Sequence, residues 1–235
     1  ATAAASFAIL SSNPVKAQQN VDTLKVGLLG CGGRGTGALK DILVGNNNVL
    51  VIALADLFED RVAAARKQLE EVQDEAIKRQ IAVKPDHCFV GLDAYKRILE
   101  TDIDILIEGT LPYSRPVHIQ AAVEAKKHIF TEKPGASDVA GVLTLLEACR
   151  KHKEMGLSFV AGTQRRHQKE YIESIAKIHD GAIGEVLVLR AYWNGSLPFV
   201  RDRQPGWSDF EYRIRNWYNY CWASGDNIVE QHVHN

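Results

Sequence analysis

Cysteine, net charge and long apolar runs are all scarce in this sequence. The four cysteines are far apart, and no two of them have the spacing of a zinc finger, a redox motif or a disulfide framework. We therefore interpret them as small, mostly buried fillers of a protein core. They are Cys31, Cys88, Cys149 and Cys221.

The balance of charge limits the class of partner. The formal net charge is −1, and acidic and basic residues are interspersed along the chain. Nucleic acid and anionic membranes require a basic stripe, so neither is an expected partner. No apolar run is long enough to cross a membrane. A chain of 235 residues, 46% hydrophobic and 24% charged, is typical of a globular protein with one large domain or one and a half.

The N-terminal segment has the composition of a leader. Residues 1–10 are small and apolar, polar residues follow, and Val15-Lys16-Ala17 resembles a small-residue cleavage site. We expect residues 1–22 to be the remnant of a secretory signal peptide, and a disordered, alanine-rich leader is the alternative.

Short apolar runs alternate with helical stretches from Thr23 onward, which predicts repeated βα units and a doubly wound parallel sheet. The predicted strands are 24–30, 49–56, a short one near Phe89, 103–108, 128–131 and 157–161. Helices are expected over 60–79, from Pro116, and after Ser137 as the N-cap. The residues expected to face inward from the first and last of these helices are Ala63, Leu69, Val72, Ala76, Val139, Val142, Leu143, Leu146 and Cys149.

The pattern changes after about residue 162. A helical stretch at 168–179 leads to a turn, then to a β-branched run at 185–193 and an aromatic-rich segment that extends to Trp222. We therefore divide the chain into a leader (1–22), a dinucleotide-binding domain (23–160) and an incomplete second domain (161–235).

A glycine-rich loop follows the first predicted strand. Residues 30–35 (GCGGRG) fit the pattern G-x-G-x-x-G and lie directly before a helical stretch, which is the context that dinucleotide binding requires. Gly30 permits a tight turn, Gly32 lets the backbone approach a pyrophosphate, and Gly35 allows the helix to pack closely on the strand. A helix N-terminus then offers free N–H groups to the phosphates.

An acidic residue ends the second predicted strand. Asp56 stands about 20 residues after the loop, where a carboxylate accepts hydrogen bonds from the ribose hydroxyls of NAD and repels the 2′-phosphate of NADP. Arg61 lies a few positions further on, and its positive charge leaves the binding of NADP as well as NAD possible. NAD is therefore the expected cofactor, in preference to NADP.

The loop at 30–35 is followed along the chain by Thr110-Leu111-Pro112 after the fourth strand, by Glu132-Lys133-Pro134, and by residues 225–235. This ordered set of motifs resembles the Gfo/Idh/MocA family, named after glucose-fructose oxidoreductase and inositol dehydrogenase. The resemblance implies a Rossmann domain followed by an α/β domain with a largely antiparallel open sheet, most of which would lie outside this sequence. It also implies reversible oxidation of a sugar or cyclitol hydroxyl by a nicotinamide cofactor, in a protein that forms homo-oligomers when complete.

The resemblance also implies roles for individual residues. Lys133 would lie beside the nicotinamide and contact the substrate hydroxyl, and the bond before Pro134 would be cis. His234 would be the acid/base histidine, and Glu230 would stand where the family usually has an aspartate, a departure that puts its role in doubt. The expected cofactor-binding residues are Gly30, Gly32, Gly33, Arg34, Gly35, Asp56, Thr110, Leu111, Pro112, Glu132 and Lys133.

Alternatives remain at several positions. Glu230 and His234 share one face of a helix, whereas on a strand His232 would join them as a third metal ligand; we expect the helix and no metal. Arg166, beside Gln164 and Arg165, is a candidate substrate contact or a solvated arginine.

The function and the location of the protein also have alternatives. One alternative is an elimination or a glycoside hydrolysis in which NAD oxidises the substrate transiently and is regenerated in the site. The other is NAD binding without catalysis. A signal peptide on a protein that folds around a dinucleotide favours periplasmic export by the twin-arginine route; without one the protein would be cytoplasmic.

Overall fold

The computed structural model describes residues 23–195, 198–231 and 234. The expected leader at 1–22 and the alternative metal ligand His232 lie outside these residues.

The central feature is a six-stranded sheet in which every neighbouring pair of strands is parallel. The strands are β1 (Leu24–Leu29), β2 (Val49–Asp56), β3 (Cys88–Val90), β4 (Ile105–Glu108), β5 (His128–Thr131) and β6 (Phe159–Ala161). Their order, β3-β2-β1-β4-β5-β6, reverses direction between β1 and β4. In such sheets ligands bind outside the carboxyl ends of the strands, at the point of reversal. The predicted doubly wound parallel sheet is confirmed.

Helices cover both faces of the sheet and produce two apolar clusters. One cluster includes Leu106, Ile119 and Ile129, and the other includes Leu28 and Leu39. The central strands β1 and β2 are mostly apolar because helices cover both of their faces, whereas the edge strands β3 and β6 are partly exposed. The α-helices are α1 (Gly33–Gly45), α2 (Glu59–Glu70), α3 (Glu75–Lys78), α4 (Ala94–Leu99), α5 (Arg115–Glu124), α6 (Val139–Glu154), α7 (Lys169–His179), α8 (Asp209–Arg215), α9 (Cys221–Ser224) and α10 (Asn227–Glu230).

The helix expected over 60–79 is two helices, α2 and α3. Asp74 accepts hydrogen bonds from the backbone N–H groups of Ala76 and Ile77, which starts a new helix after a break. The inward residues of α2 are Val62 and Ala65, whereas the expected Ala63 and Ala76 are exposed. Of the other two expected positions, Leu69 packs at the edge of the core and Val72 is half-buried.

The orientation of α6 also differs from the expectation. Asp138, rather than Ser137, caps the helix by accepting a hydrogen bond from the N–H of Gly141. Its buried residues are Ala148 and His152. The helix therefore packs through a face other than the apolar series, which is exposed at Val139, Val142, Leu143 and Leu146 and half-buried at Cys149.

The cysteines are only partly the fillers that we expected. Cys31 is buried, Cys88 and Cys149 are half-buried, and Cys221 is exposed. All four are free thiols, because none has a partner at disulfide distance.

The region after Ala161 contains no strand among its described residues, so the expected antiparallel sheet is not found there. The run at 185–193 is exposed, since the described residues offer it no neighbouring strand with which to share backbone hydrogen bonds. The later part of this region packs against the sheet domain: the N–H of Tyr113 donates to the carbonyl of Ala223 at 3.2 Å. Over the described residues, no helix is both long and apolar enough to cross a membrane.

Candidate functional site

The glycine loop connects β1 to α1 with very little space on one side and open space on the other. Gly30 has φ of 95°, and a Cβ there would lie 2.6 Å from the carbonyl carbon of Gly109. A Cβ on Gly35 would lie 1.9 Å from the carbonyl oxygen of Gly30. Nothing lies within 4 Å of a Cβ placed on Gly32 or Gly33. Gly30 and Gly35 therefore allow close packing of the backbone around the loop, whereas Gly32 and Gly33 leave the N-terminus of the helix open.

This N-terminus fits the pyrophosphate of a dinucleotide. Gly32 caps α1 without a side-chain hydrogen bond, and the first turn contains no acidic residue. The free N–H groups and the partial positive charge of the helix therefore face the open space beside the loop.

Asp56 ends β2 next to this loop. Its carboxylate accepts hydrogen bonds from the N–H of Cys31 at 2.7 Å and from the N–H of Phe58 at 2.9 Å. Burial raises the pKa of Asp56, although these hydrogen bonds and the positive charge of Arg61 act in the opposite direction. The two N–H donors use one lone pair on each oxygen, so further lone pairs can accept hydroxyls such as those of ribose.

A buried carboxylate organises the ends of β4 and β5. Glu108 is fully buried and accepts hydrogen bonds at Oε2 from Arg115 Nε and from Thr131 Oγ1, both at 3.1 Å. Burial alone would raise the pKa of Glu108, but the hydrogen bond of His118, the charge of Arg115 and the hydroxyl of Thr110 outweigh it, and the pKa is lowered. The loop that starts at Gly109 is therefore held by an ionised, fully bonded group.

Lys133 extends from the end of β5 into the space in front of the sheet. The Lys133–Pro134 peptide bond is cis, as expected. Lys133 Nζ donates hydrogen bonds to the backbone carbonyl of Glu230 and to Oε2 of its carboxylate, the latter at 3.2 Å. Burial raises the pKa of Glu230, and the charge of Lys133 opposes the shift. The second oxygen, Oε1, is buried and has no partner among the described residues.

His234 lines the same cavity as Lys133 and Glu230. The helix expected to carry both acid and histidine is shorter than predicted, because α10 ends at Glu230 and the N–H of His234 donates to the carbonyl of Gln231 at 3.1 Å. Burial lowers the pKa of His234, and the positive charges of Lys133 and Arg165 add to the effect. A neutral imidazole beside a lysine can accept a proton at neutral pH.

Glu132 has a specific partner across the site. Its buried carboxylate accepts a hydrogen bond at Oε1 from Arg34 Nε at 2.7 Å, which connects the glycine loop to the end of β5. A Cβ on Gly162 would lie 2.6 Å from the same oxygen, so a larger residue there would require this carboxylate to shift. The sequence suggested both residues as cofactor contacts but gave no indication that they pair.

These groups surround one cavity of about 980 Å³, which is large enough for a dinucleotide and a small substrate. Of the predicted site residues, its lining contains Gly30, Gly32, Gly33, Arg34, Asp56, Thr110, Leu111, Glu132, Lys133, Glu230 and His234. Gly35 and Pro112 are buried behind this lining. Arg166 is exposed and is not among the lining residues, whereas its neighbour Arg165 is. Of these two arginines, Arg165 is therefore the one that lines the cavity.

Several lining residues were missed in the sequence. Tyr95, Ser114, Arg115 and His118 lie around the Glu108 cluster, and Phe58, Arg201, Ile214 and Arg215 lie near Asp56. Arg115 and His118 are three residues apart on α5 and so share one face of the helix, but nothing in the sequence indicated that this face lines the cavity. Within the described residues, no three His, Cys, Asp or Glu side chains are grouped as metal ligands.

A family model described as "Oxidoreductase family, NAD-binding Rossmann fold" (GFO_IDH_MocA) matches residues 24–159. Inositol 2-dehydrogenase of Acidothermus cellulolyticus is 26% identical over 179 residues, which are 75% of this chain and 47% of that protein. Inositol 2-dehydrogenase of Salmonella typhimurium is 28% identical over 178 residues, 74% of this chain and 47% of that protein. The chain spans about half the length of the curated relatives it matches.

Solved structures share the fold. Scyllo-inositol dehydrogenase from Lactobacillus casei, with bound NAD(H) and scyllo-inositol, superposes with a TM-score of 0.56 at 21% identity, over 70% of this chain and 43% of that one. Aldose-aldose oxidoreductase from Caulobacter crescentus, with glycerol, gives 0.54 at 24% identity, over 69% and 44%. Likeness at this level shows a common arrangement of strands and helices.

Proposed function

Because this chain belongs to the Gfo/Idh/MocA family of oxidoreductases with an NAD-binding Rossmann fold, we propose that it moves a hydride between nicotinamide and a hydroxyl-bearing carbon of a sugar or cyclitol. The observation that carries the proposal is one cavity, lined by the glycine loop and Asp56 and also by Lys133, Glu230 and His234. This shared lining supports a dinucleotide site next to a set of proton-transfer groups.

The reacting carbon loses a hydride and its hydroxyl loses a proton. When bound, the nicotinamide supplies the acceptor for the hydride. Lys133 Nζ donates a hydrogen bond to the substrate oxygen and so stabilises the negative charge that develops there. The O–H bond breaks as a ring nitrogen of His234 accepts its proton, and a carbon–oxygen double bond forms.

Glu230 orients the lysine. Its carboxylate and backbone carbonyl both accept hydrogen bonds from Lys133 Nζ, which restricts the ammonium group to one position. The unpartnered Oε1 of Glu230 is the acceptor that remains for a second substrate hydroxyl. Vicinal hydroxyls are characteristic of sugars and cyclitols, which is the substrate class that the names of the relatives also suggest.

Asp56 favours NAD over NADP. Its carboxylate lines the cavity at the end of β2, and a 2′-phosphate placed there would meet like charge. Arg61 also lines the cavity, so the preference is one of degree.

A calorimetric titration with NAD and with NADP tests the cofactor assignment. We expect micromolar binding of NAD, weaker binding of NADP, and loss of the preference in Asp56→Ala. If a folded preparation of the protein binds neither dinucleotide, the proposal is wrong.

Turnover is tested by a screen of polyols and sugars in which NADH absorbance is followed together with substrate loss. Lys133→Met should abolish turnover and spare NAD binding. Lys153→Met, which replaces an exposed lysine on α6, should retain both turnover and NAD binding. Retained turnover in Lys133→Met would contradict the assigned role. Substrate loss without net NADH would instead indicate transient oxidation in an elimination or a glycoside hydrolysis.

A further inference from the structure

One arginine from the C-terminal region is enclosed by two aromatic rings and two carboxylates. The guanidinium carbon of Arg215, the last residue of α8, lies 3.9 Å from the ring centroid of Phe58 and 4.7 Å from that of Trp207. Its two terminal nitrogens donate to both oxygens of Asp60, at 2.8 and 2.9 Å, and Nε donates to Glu211 at 2.9 Å. The planar group thus donates from all three of its nitrogens and lies over two aromatic rings.

Two of these partners belong to the dinucleotide-binding domain. Phe58 donates its N–H to Asp56, the expected ribose ligand, and is the N-cap of α2. Asp60 lies in the first turn of the same helix. Arg215 is 155 residues from Asp60 in the sequence. A segment far along the chain is therefore attached at the point where β2 ends.

The attached segment also lines the cavity. Phe199, Arg201, Phe210, Ile214 and Trp217 line the same space as Asp56 and Phe58. The segment is held as a unit because Asn216 exchanges hydrogen bonds with the backbone of Arg201, accepting from its N–H at 2.6 Å and donating to its carbonyl at 3.1 Å.

In a Rossmann domain the ribose that contacts the end of β2 belongs to the adenosine half of the cofactor. This end of the cavity is lined by aromatic and aliphatic side chains, which suit a purine ring better than a polyol. Lys133 and His234, the proposed reaction groups, lie toward the end of β5, on the other side of the glycine loop.

We propose that Arg215 is a positioning residue for the adenosine half of the dinucleotide: by holding Phe58 and Asp60 it fixes residues 198–218 over that half and slows its release. This inference rests on the proposed function, because it presupposes a dinucleotide in the cavity. Arg215 acts through Phe58 and the segment, because each of its three guanidinium nitrogens already donates a hydrogen bond to a carboxylate.

The experiment compares two ligands that share the adenosine half, NADH and ADP-ribose, on the purified protein. Energy transfer from tryptophan to NADH reports NADH binding, and competition with NADH gives the Kd of ADP-ribose. Stopped-flow mixing of each complex with an excess of the other ligand gives its dissociation rate. In Arg215→Met we expect the Kd of both ligands to rise by about tenfold, with most of the change in the dissociation rate. Because ADP-ribose lacks the nicotinamide, an equal change for the two ligands locates the effect in the adenosine half.

Further variants separate positioning from folding. Asp60→Asn removes a charge from a half-exposed side chain and should reproduce part of the effect without a change in melting temperature. Arg215→Lys keeps the charge but loses the planar stack and the paired hydrogen bonds, so its effect should be intermediate. Arg213→Met, an exposed arginine on the same helix, should bind both ligands as the wild type does.

The possible outcomes are distinguishable. If the wild type binds both ligands and Arg215→Met and Asp60→Asn bind them equally well, this inference is wrong and the proposed function stands. A larger change for NADH than for ADP-ribose would also contradict it, because the effect would then involve the nicotinamide half. If the folded wild type binds neither ligand, the proposed function fails and this inference fails with it.

Discussion

Arg115 donates a hydrogen bond from Nε to Oε2 of Glu108 at 3.1 Å, and the two side chains of this ion pair are only 5% and 0% exposed. The same guanidinium donates to the backbone carbonyls of Thr110 and Pro134. One buried group thus connects the loop after β4 to the cis turn that presents Lys133. The cofactor side and the reaction side of the cavity share this support.

Removing one member of the pair should destabilise the fold strongly. Arg115→Met leaves the carboxylate of Glu108 buried without its counter-ion, and we expect a loss of about 3–5 kcal/mol in the free energy of unfolding. Urea titration measures the change. Arg150→Met, which removes an exposed arginine from surface ion pairs on α6, should cost less than about 1 kcal/mol. Equal losses in the free energy of unfolding would show that the buried pair stabilises the fold no more than a surface ion pair does.

The glycine loop allows stability and binding to be separated. Gly32→Ala places its Cβ in open space, so we expect unchanged stability together with weaker NAD binding, because the methyl group occupies the space where the pyrophosphate approaches. Gly35→Ala forces its Cβ toward the carbonyl oxygen of Gly30 and should lower stability by about 1–3 kcal/mol as well.

Thermal unfolding and calorimetry on the same preparations measure the two effects. Gly45→Ala, which introduces its Cβ into open space at the far end of α1, is the matched control and should alter neither NAD binding nor, beyond a small gain, stability. Normal NAD affinity in Gly32→Ala would argue that the pyrophosphate binds elsewhere.

Glu230 should make the stability of the protein depend on pH. Burial raises the pKa of its carboxyl in the folded state, so the folded protein binds this proton more tightly than the unfolded chain does. Its stabilising contribution is complete below the ordinary glutamate pKa of about 4.3 and is lost as the pH rises through the raised value.

In Glu230→Gln this fall in stability with rising pH should be absent, because the carboxyl group that titrates has been removed. Urea unfolding at a series of pH values should therefore show a steeper decline for the wild type than for the variant on the alkaline side of pH 4.3 or so. Glu100→Gln, at an exposed position, should follow the wild-type profile. Parallel profiles for wild type and Glu230→Gln would contradict the assignment.

His234 should titrate below the ordinary histidine pKa of about 6.5. Burial disfavours its charged form, and the positive charges of Lys133 and Arg165 act in the same direction. Two-dimensional NMR of the imidazole resonances across pH 5–8 measures the value directly, and His234→Gln identifies the signal. In Lys133→Met the titration should move upward, because one of the two named positive charges is gone. A pKa at or above 6.5 in the wild type would remove the basis for a neutral proton acceptor.

The features that were predicted well from the sequence are local. The second and fifth strands were predicted with their observed ends, Val49–Asp56 and His128–Thr131. The second strand was recognisable because a strand covered on both faces is an almost uninterrupted apolar run. The glycine loop and Asp56 have a spacing that backbone geometry imposes. The apolar face of α6 was predicted to pack inward, and this was wrong because the face is exposed. Periodicity shows that a helix has an apolar face but not which face packs.

The same distinction between local and distant features applies to the candidate site. Lys133 and Pro134 are adjacent in the chain, so the local motif determined where the proposed reaction group stands, and the composition of the loop determined where a dinucleotide would bind. Arg34 meets Glu132 across 98 residues, and Arg215 meets Asp60 across 155. Only the tertiary structure decided these pairs, because the crossover connections and the return of the C-terminal segment determine which distant side chains face each other, and no local pattern records that choice.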